Sequence, residues 1–265
     1  MKRLLLLFLA LVALIPADAG AAKKIQVVTT IPDLADMTRQ ITGDLADVTS
    51  IATGVEDIHA VPMKPRFAVL LNRADVTVLE APTRLDRSLG DQHPMGNPHI
   101  NLDPVRGKSM VRAITDGLSR NFPEHTATFQ KNAAAYTREL DAAIARWQQE
   151  AAPLKGKKLV SYHPDLIYLA ERFGMENFGT IEIRPGVDPT PSHVADLIER
   201  MRQAKVEIVV RERHYPAGLA ETVAKATGAK LVELPAMTGG VPEAKTYISF
   251  IDYNVRTLIK AVTGG

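Results

Sequence analysis

Between Pro123 and Ala152 the chain contains neither proline nor glycine, and within that stretch Phe129, Ala133, Tyr136, Leu140, Ile144 and Trp147 recur at helical spacing. The spacing predicts one helix of about 28 residues, ~42 Å long at ~1.5 Å per residue. That length suffices to cross between two lobes, although the same apolar stripe also fits a helix lying on an ordinary core. Pro153 and Gly156 close it. Whatever the chain builds must therefore be arranged as two segments, one on each side of a single long rod.

Both segments alternate β-branched runs with amphipathic ones. Before the rod, strands are predicted at KIQVVTT (24–30), ADVTSIAT (46–53) and VTVLE (76–80), with helices from Asp33 to Gly43, from Pro65 to Leu71, and from near Pro104. After it, strands fall at KLVSY (158–162), FGTIEI (178–183), VEIVVRE (206–212) and AKLVEL (229–234). Helices fill the intervals at Asp165–Phe173, Pro191–Gln203 and Pro216–Thr227. A last one, about Ala244 to Val262, puts Ile248, Ile251, Val255, Leu258 and Ile259 on one face. Strands separated by helices pair in parallel, so the expected fold class is α/β: two α/β lobes with parallel sheets bridged by one long helix. The expected division is 23–122 for the first lobe, 123–153 for the linking helix and 154–265 for the second.

The first 22 residues stand apart. Met1-Lys2-Arg3, the apolar run Leu4–Pro16 and the small residues Ala17-Asp18-Ala19-Gly20-Ala21-Ala22 describe a cleavable secretory signal peptide. The run is too short to span a bilayer comfortably, and no second one follows, so the mature chain is expected to carry no transmembrane span. Cysteine is absent. No residue is therefore available for a lipid anchor after the signal, and the fold must be held by its core rather than by disulfides. The expected location is the periplasm. A formal net charge of +2, with lysine and arginine scattered among acids, gives no nucleic-acid footprint.

Three histidines occupy similar topological positions. His59 lies in GVEDIHAVPMKP, in the loop after the second strand. His99 lies in GNPHINLDP, in a turn before the helix near Pro104, and His163 closes KKLVSYH directly after a strand. Ligands of open α/β sheets gather beyond the carboxyl ends of strands, so the three can meet at one cleft. Neutral imidazole is a common zinc ligand, and three nearly complete a tetrahedral shell. Taken singly, each reads more readily as a solvated or hydrogen-bonded loop residue than as a ligand, and it is the similar placement of all three that points to a metal. His93, close in sequence to His99, is expected in a loop role, with a lid or secondary ligand as the alternative; His125, His193 and His214 are expected at the surface or in structural roles.

The segments DIHAVPMKP, NRADVTVLE, GDQHPMGNPHINLDP, VSYHPDLIYLAERFG, GTIEIRPGVDPTPSHVADLIERM and VPEAKTYISFIDYNV resemble, in order and across essentially the whole mature chain, the zinc- and manganese-specific solute-binding proteins of ABC importers. The resemblance implies two α/β lobes joined by one long helix, with metal held between them by His59, His99 and His163. It also implies a monomer that delivers its ion to a membrane permease driven by a cytoplasmic ATPase. Two departures stand out. In many members an aspartate of the second lobe completes the shell, and alignment on AKLVEL and TYISFIDYN puts that position near Pro235, whose side chain cannot coordinate. The fourth ligand is thus open between water, Glu182 and Glu233, and either glutamate reads more simply as a solvated or salt-bridged carboxylate. The stretch between Glu80 and Gly90 is also shorter than the family usually has, by about a strand and a helix.

Ligand type favours Zn2+ over Mn2+, because manganese prefers more carboxylate oxygen than three imidazoles provide. Since imidazole binds metal only when neutral, affinity should fall as pH drops through the histidine range near ~6.5. The alternative is a zinc-dependent periplasmic hydrolase with Glu182 as base, although no HExxH helix is present to carry two ligands and a base together. A metal-stabilised adhesin, unfolding on chelation, is a third class.

Overall fold

The structure is a computed structural model that describes residues 23–78, 96–184 and 186–264. The signal segment, His93, Glu80 and the short stretch up to Gly90 lie outside the described residues. In chain order the main elements of the first half are β1 (Ile25–Thr29), α1 (Pro32–Thr42), β2 (Ala46–Ser50), α2 (Pro65–Arg73), β3 (Val76–Val78) and α3 (Pro104–Asn121). Next come the rod α4 (Thr126–Glu150) and then β4 (Lys158–Ser161), α5 (Ile167–Arg172), β5 (Glu176–Thr180) and α6 (Pro191–Ala204). The chain ends with β6 (Ile208–Glu212), α7 (Ala217–Thr227), β7 (Lys230–Leu234) and α8 (Tyr247–Thr263).

Two wholly parallel sheets result, with strand orders β2-β1-β3 and β5-β4-β6-β7. In each, the first strand in sequence has later strands on both sides. The chain therefore reverses its winding direction beside β1 and again beside β4, and such reversals open a crevice at the carboxyl ends of those strands. Strand faces follow the two-residue period. Ile208 and Val210 of β6 enter the main core while Val209 between them enters a second one, and Leu159 and Val160 of β4 divide in the same way.

The rod has 25 residues, with single 3-10 turns at Pro123–His125 and Ala152–Leu154 replacing its expected ends. Phe129, Ala133, Tyr136, Leu140, Ile144 and Trp147 are all buried, in a core that also takes in Val27, Met37 and Met110 from the first half and Leu159, Tyr247 and Phe250 from the second. The rod both bridges the halves and lines their common interior. Trp147 donates its indole N–H to Asp252 of α8 at 2.9 Å, satisfying the one polar atom of an otherwise apolar side chain.

Several boundaries moved for physical reasons. β5 spans 176–180 rather than 178–183, yet Ile181 and Glu182 still donate to the carbonyls of Ser161 and Tyr162, so strand-like bonding reaches Glu182. β2 ends at Ser50, but Ile51 and Ala52 donate to Thr29 and Thr30 and carry the pairing toward Thr53. α5 starts two residues late because Asp165 and Leu166 belong to the turn after His163. On α8 the buried stripe is Tyr247, Phe250, Ile251, Asn254, Val255 and Leu258, with Ile248 and Ile259 only half-buried. The stripe is rotated because Asn254 is drawn inward, where its amide donates to the Pro235 carbonyl at 3.3 Å.

Candidate metal centre

His59, His99 and His163 come together. Their ring centroids stand 5.0 to 5.5 Å apart, and one ligand nitrogen from each lies within 4.8 Å of the others. His99 and His163 are buried and His59 is half-buried. Each arrives by a different local device.

His59 sits in a 3-10 turn, Ile58–Ala60, started by Asp57, whose carboxylate accepts the His59 amide at 2.8 Å. His99 precedes the turn Ile100–Leu102. Asn97, two residues earlier, accepts both the backbone N–H and ring Nδ1 of His99 on one side-chain oxygen, at 3.0 and 2.9 Å. His163 follows β4 at the winding reversal, and its Nδ1 lies 2.7 Å from a Glu182 carboxylate oxygen. Acceptors at Nδ1 of His99 and His163 favour the tautomer that carries the proton on Nδ1 and the lone pair on Nε2.

The loops are bolted to one another. The Asn97 side-chain amide donates to the Pro164 carbonyl at 2.7 Å, and the Tyr168 hydroxyl donates to the Asn97 carbonyl at 2.9 Å. Asp103, which caps α3, receives a two-pronged contact from Arg172 of α5, both distances 2.8 Å. On the opposite side the His59 loop meets the loop after β7 backbone to backbone. Gly54 has φ +99°, and a Cβ there would lie 2.2 Å from the Thr238 carbonyl oxygen, a fit available only to glycine.

The cavity beside the histidines has a volume of about 20 Å³ and is lined also by Asp57, Asn101, Asp165, His214 and Tyr215, with Ile31, Ala236 and Met237 among its apolar walls. One water needs roughly 10–15 Å³ on this measure, whereas small-molecule sites run to roughly 300–1,000 Å³. The cavity is sized for an ion and its immediate ligands.

Of the two glutamates considered for the fourth position, Glu182 stands behind His163. One of its oxygens engages the imidazole and the other accepts the Gly186 N–H at 2.8 Å. Glu233 pairs with Arg211 and does not line the cavity. His193 contacts the Thr180 carbonyl at 3.1 Å and His125 packs on Phe129, in line with structural roles.

His214 departs from expectation. It lines the cavity, its ring 4.4 Å from that of Tyr215, and burial pushes its pKa down, opposed by the Asp57 carboxylate. Asp165 and Glu212 form a buried acid pair beside His163, and burial pushes both carboxyls up. The mutual repulsion of two carboxylates raises Glu212 further, and one proton between them is the stable arrangement. Sequence reasoning missed Asn97, Asp165, Glu212 and His214. The last two stand at the end of β6, where the rule that singled out His163 also applies, and Asn97 carries the Asn-Pro signature of a turn.

The sequence profile of the family described as zinc-uptake complex component A periplasmic, ZnuA, matches residues 27–89 and 78–261. Among curated relatives, the zinc-binding lipoprotein AdcA of Streptococcus pneumoniae is 27% identical, over 97% of this chain and 60% of its own length. The iron-binding protein YfeA of Yersinia pestis is also 27% identical, over 92% of this chain and 88% of its own. This chain thus spans about 60% of the length of the first of these relatives. Among solved structures, the laminin-binding protein Lmb of Streptococcus agalactiae, described as having adhesin and metal-transporting activity, superposes with a TM-score of 0.80 at 24% identity, over 91% of this chain and 100% of that one. Two parallel-sheet lobes around a bridging helix and a match running through nearly every described element lead to one assignment: the chain belongs to the ZnuA family of periplasmic zinc-uptake components.

Proposed function

We propose that this protein is a periplasmic carrier that holds one Zn2+ on His59, His99 and His163 and delivers it to an ABC permease and its ATPase. The observation that carries this reading is the convergence of three imidazoles, two of them buried and braced at Nδ1, on a cavity of about 20 Å³. Zinc at ~2.0–2.1 Å from each nitrogen sets the three about 3.3 Å apart in a tetrahedron, so closure from the present separation takes at most ~1.5 Å. The zinc-binding character of AdcA, and the preference of an all-imidazole set for zinc over manganese, support the choice of ion.

A carrier needs no nucleophile and no room for a substrate, which favours it over a hydrolase. Glu182, the base such an enzyme would use, has both oxygens occupied in bracing His163 and the following turn. Among the described residues no helix is long and apolar enough to cross a membrane. Residues 1–22 are read as a cleaved signal peptide. The mature chain is read as a monomer of two lobes, 23–122 and 154–265, joined through 123–153. Competition titration with zinc tests the proposal. The His163→Ala variant should lose most of the affinity, and binding close to wild type would sink it. Sustained hydrolysis of simple esters, peptides or phosphates that His99→Ala abolishes would sink it equally.

A further inference from the structure

Just beyond the turn that carries His59, residues 61–73 (VPMKPRFAVLLNR) bring three cations, Lys64, Arg66 and Arg73, and no acid. Most of the stretch is α2, a helix of nine residues whose one buried side chain is Phe67. Met63, just ahead of the helix, is 81% exposed, and Val69 within it is 49% exposed. Arg66, Val69 and Arg73 share one stripe, at i, i+3 and i+7, and all three face solvent. Among the described residues no ion pair involves Lys64, Arg66 or Arg73, and the Arg66 guanidinium lies over the Phe67 ring at 5.4 Å. Exposed apolar side chains set among uncompensated cations are the make-up of a surface that meets a partner.

We propose that α2 docks this face on an anionic lipid bilayer, seating Met63 and Val69 at the acyl boundary and Lys64, Arg66 and Arg73 against the phosphates. The helix is ~14 Å long at ~1.5 Å per residue, a small patch beside the roughly 20–30 residues a side that a stable protein interface takes. A bilayer asks for less: apolar side chains with basic ones beside them, whose long stems carry the charge up to the headgroups. Charge sets the lipid class, because three cations without an acid gain from an anionic headgroup and nothing from a neutral one. A single element of this size binds reversibly, as suits a protein that must leave again with its cargo spent. The inference goes beyond the carrier reading and holds whichever ion is carried, so loss of one leaves the other standing.

The test uses the full mature protein, free of metal, with vesicles of equal parts phosphatidylethanolamine and phosphatidylglycerol, and with vesicles of phosphatidylcholine alone. Flotation should show binding to the first and not to the second, and raised salt should release it. Each cation near such a surface contributes roughly five-fold in affinity, so Lys64→Gln, Arg66→Gln and Arg73→Gln together should weaken binding by about 100-fold with an unchanged melting temperature. The chain has no cysteine, so an environment-sensitive dye on Val69→Cys reads the face directly. Its emission should move to the blue on anionic vesicles, while the same dye on Glu221→Cys, at an exposed position of α7, should not respond. Absent binding, equal binding to the two vesicle types, a triple variant that binds like wild type, or a response at Glu221 with none at Val69 overturns the proposal. If the wild type ignores vesicles and the triple variant no longer stimulates the permease's ATPase in detergent, the face belongs to the permease instead.

Discussion

Asp33→Asn should make this protein more stable at pH 8 and leave it little changed at pH 5. Asp33 lies in the first turn of α1, fully buried, where it accepts the Thr238 hydroxyl at 3.2 Å and the Thr238 amide at 3.4 Å. Burial pushes its pKa from 3.8 to about 7, outweighing the hydrogen bonds from Asn101 and Thr238 that pull the other way. The folded state therefore binds this proton more tightly than the unfolded chain does, so stability grows as pH falls from above 7 toward 3.8. At ~1.36 kcal/mol per pH unit, ionising Asp33 costs the fold about 4 kcal/mol at pH 8 and about 1–2 kcal/mol at pH 5. Asparagine never ionises. It retains one acceptor oxygen for Thr238 and forfeits about one hydrogen bond, worth ~1 kcal/mol. The net gain is about 3 kcal/mol at pH 8, or roughly 6–12 °C in melting temperature for a chain of this size, and close to zero at pH 5. Thermal melts of both proteins at the two pH values, with chelator present so that histidine titration does not enter through bound metal, give the comparison. A melting difference that stays the same at pH 5 and pH 8 would refute the reasoning.

Two further predictions concern the architecture around the site. Asn97→Ala removes the acceptor at His99 Nδ1 and the tie to Pro164, and should weaken zinc binding by about 10- to 100-fold while the protein stays folded; titration with unchanged affinity would show that the brace is idle. Gly54→Ala forces a Cβ against the Thr238 carbonyl at a positive φ and should lower stability by about 2–4 kcal/mol, read as a lower denaturation midpoint in urea.

Most of the scaffold was legible because its elements are long and strongly patterned. The rod announced itself through a glycine- and proline-free stretch with an unbroken stripe, and α6 and α7 through the prolines at their starts. What the residues did not disclose was local polar bonding. Asn254 turns α8 by accepting a buried place that periodicity gives to apolar side chains, and the strand pairing beyond β2 and β5 depends on single backbone bonds to the neighbouring strand. At the site, the trio was visible because histidines at strand ends are few. The carboxylates and Asn97 were not, because aspartate, glutamate and asparagine in turns are common and only the third dimension separates a brace from a solvated side chain. His214 was passed over for a similar reason: its strand end is read correctly, but nothing local shows which way the following turn faces.

The three imidazoles are placed by two different bodies. Asn97 joins the loops of His99 and His163 into one body, while His59 rides on a separate arm that rests against the opposite loop through the bare backbone of Gly54. The distance between His99 and His163 is therefore set within one body, whereas the distance of His59 from either is set by how the Gly54 backbone seats on the Thr238 carbonyl. A change of angle between these two loops would alter the second spacing and leave the first untouched.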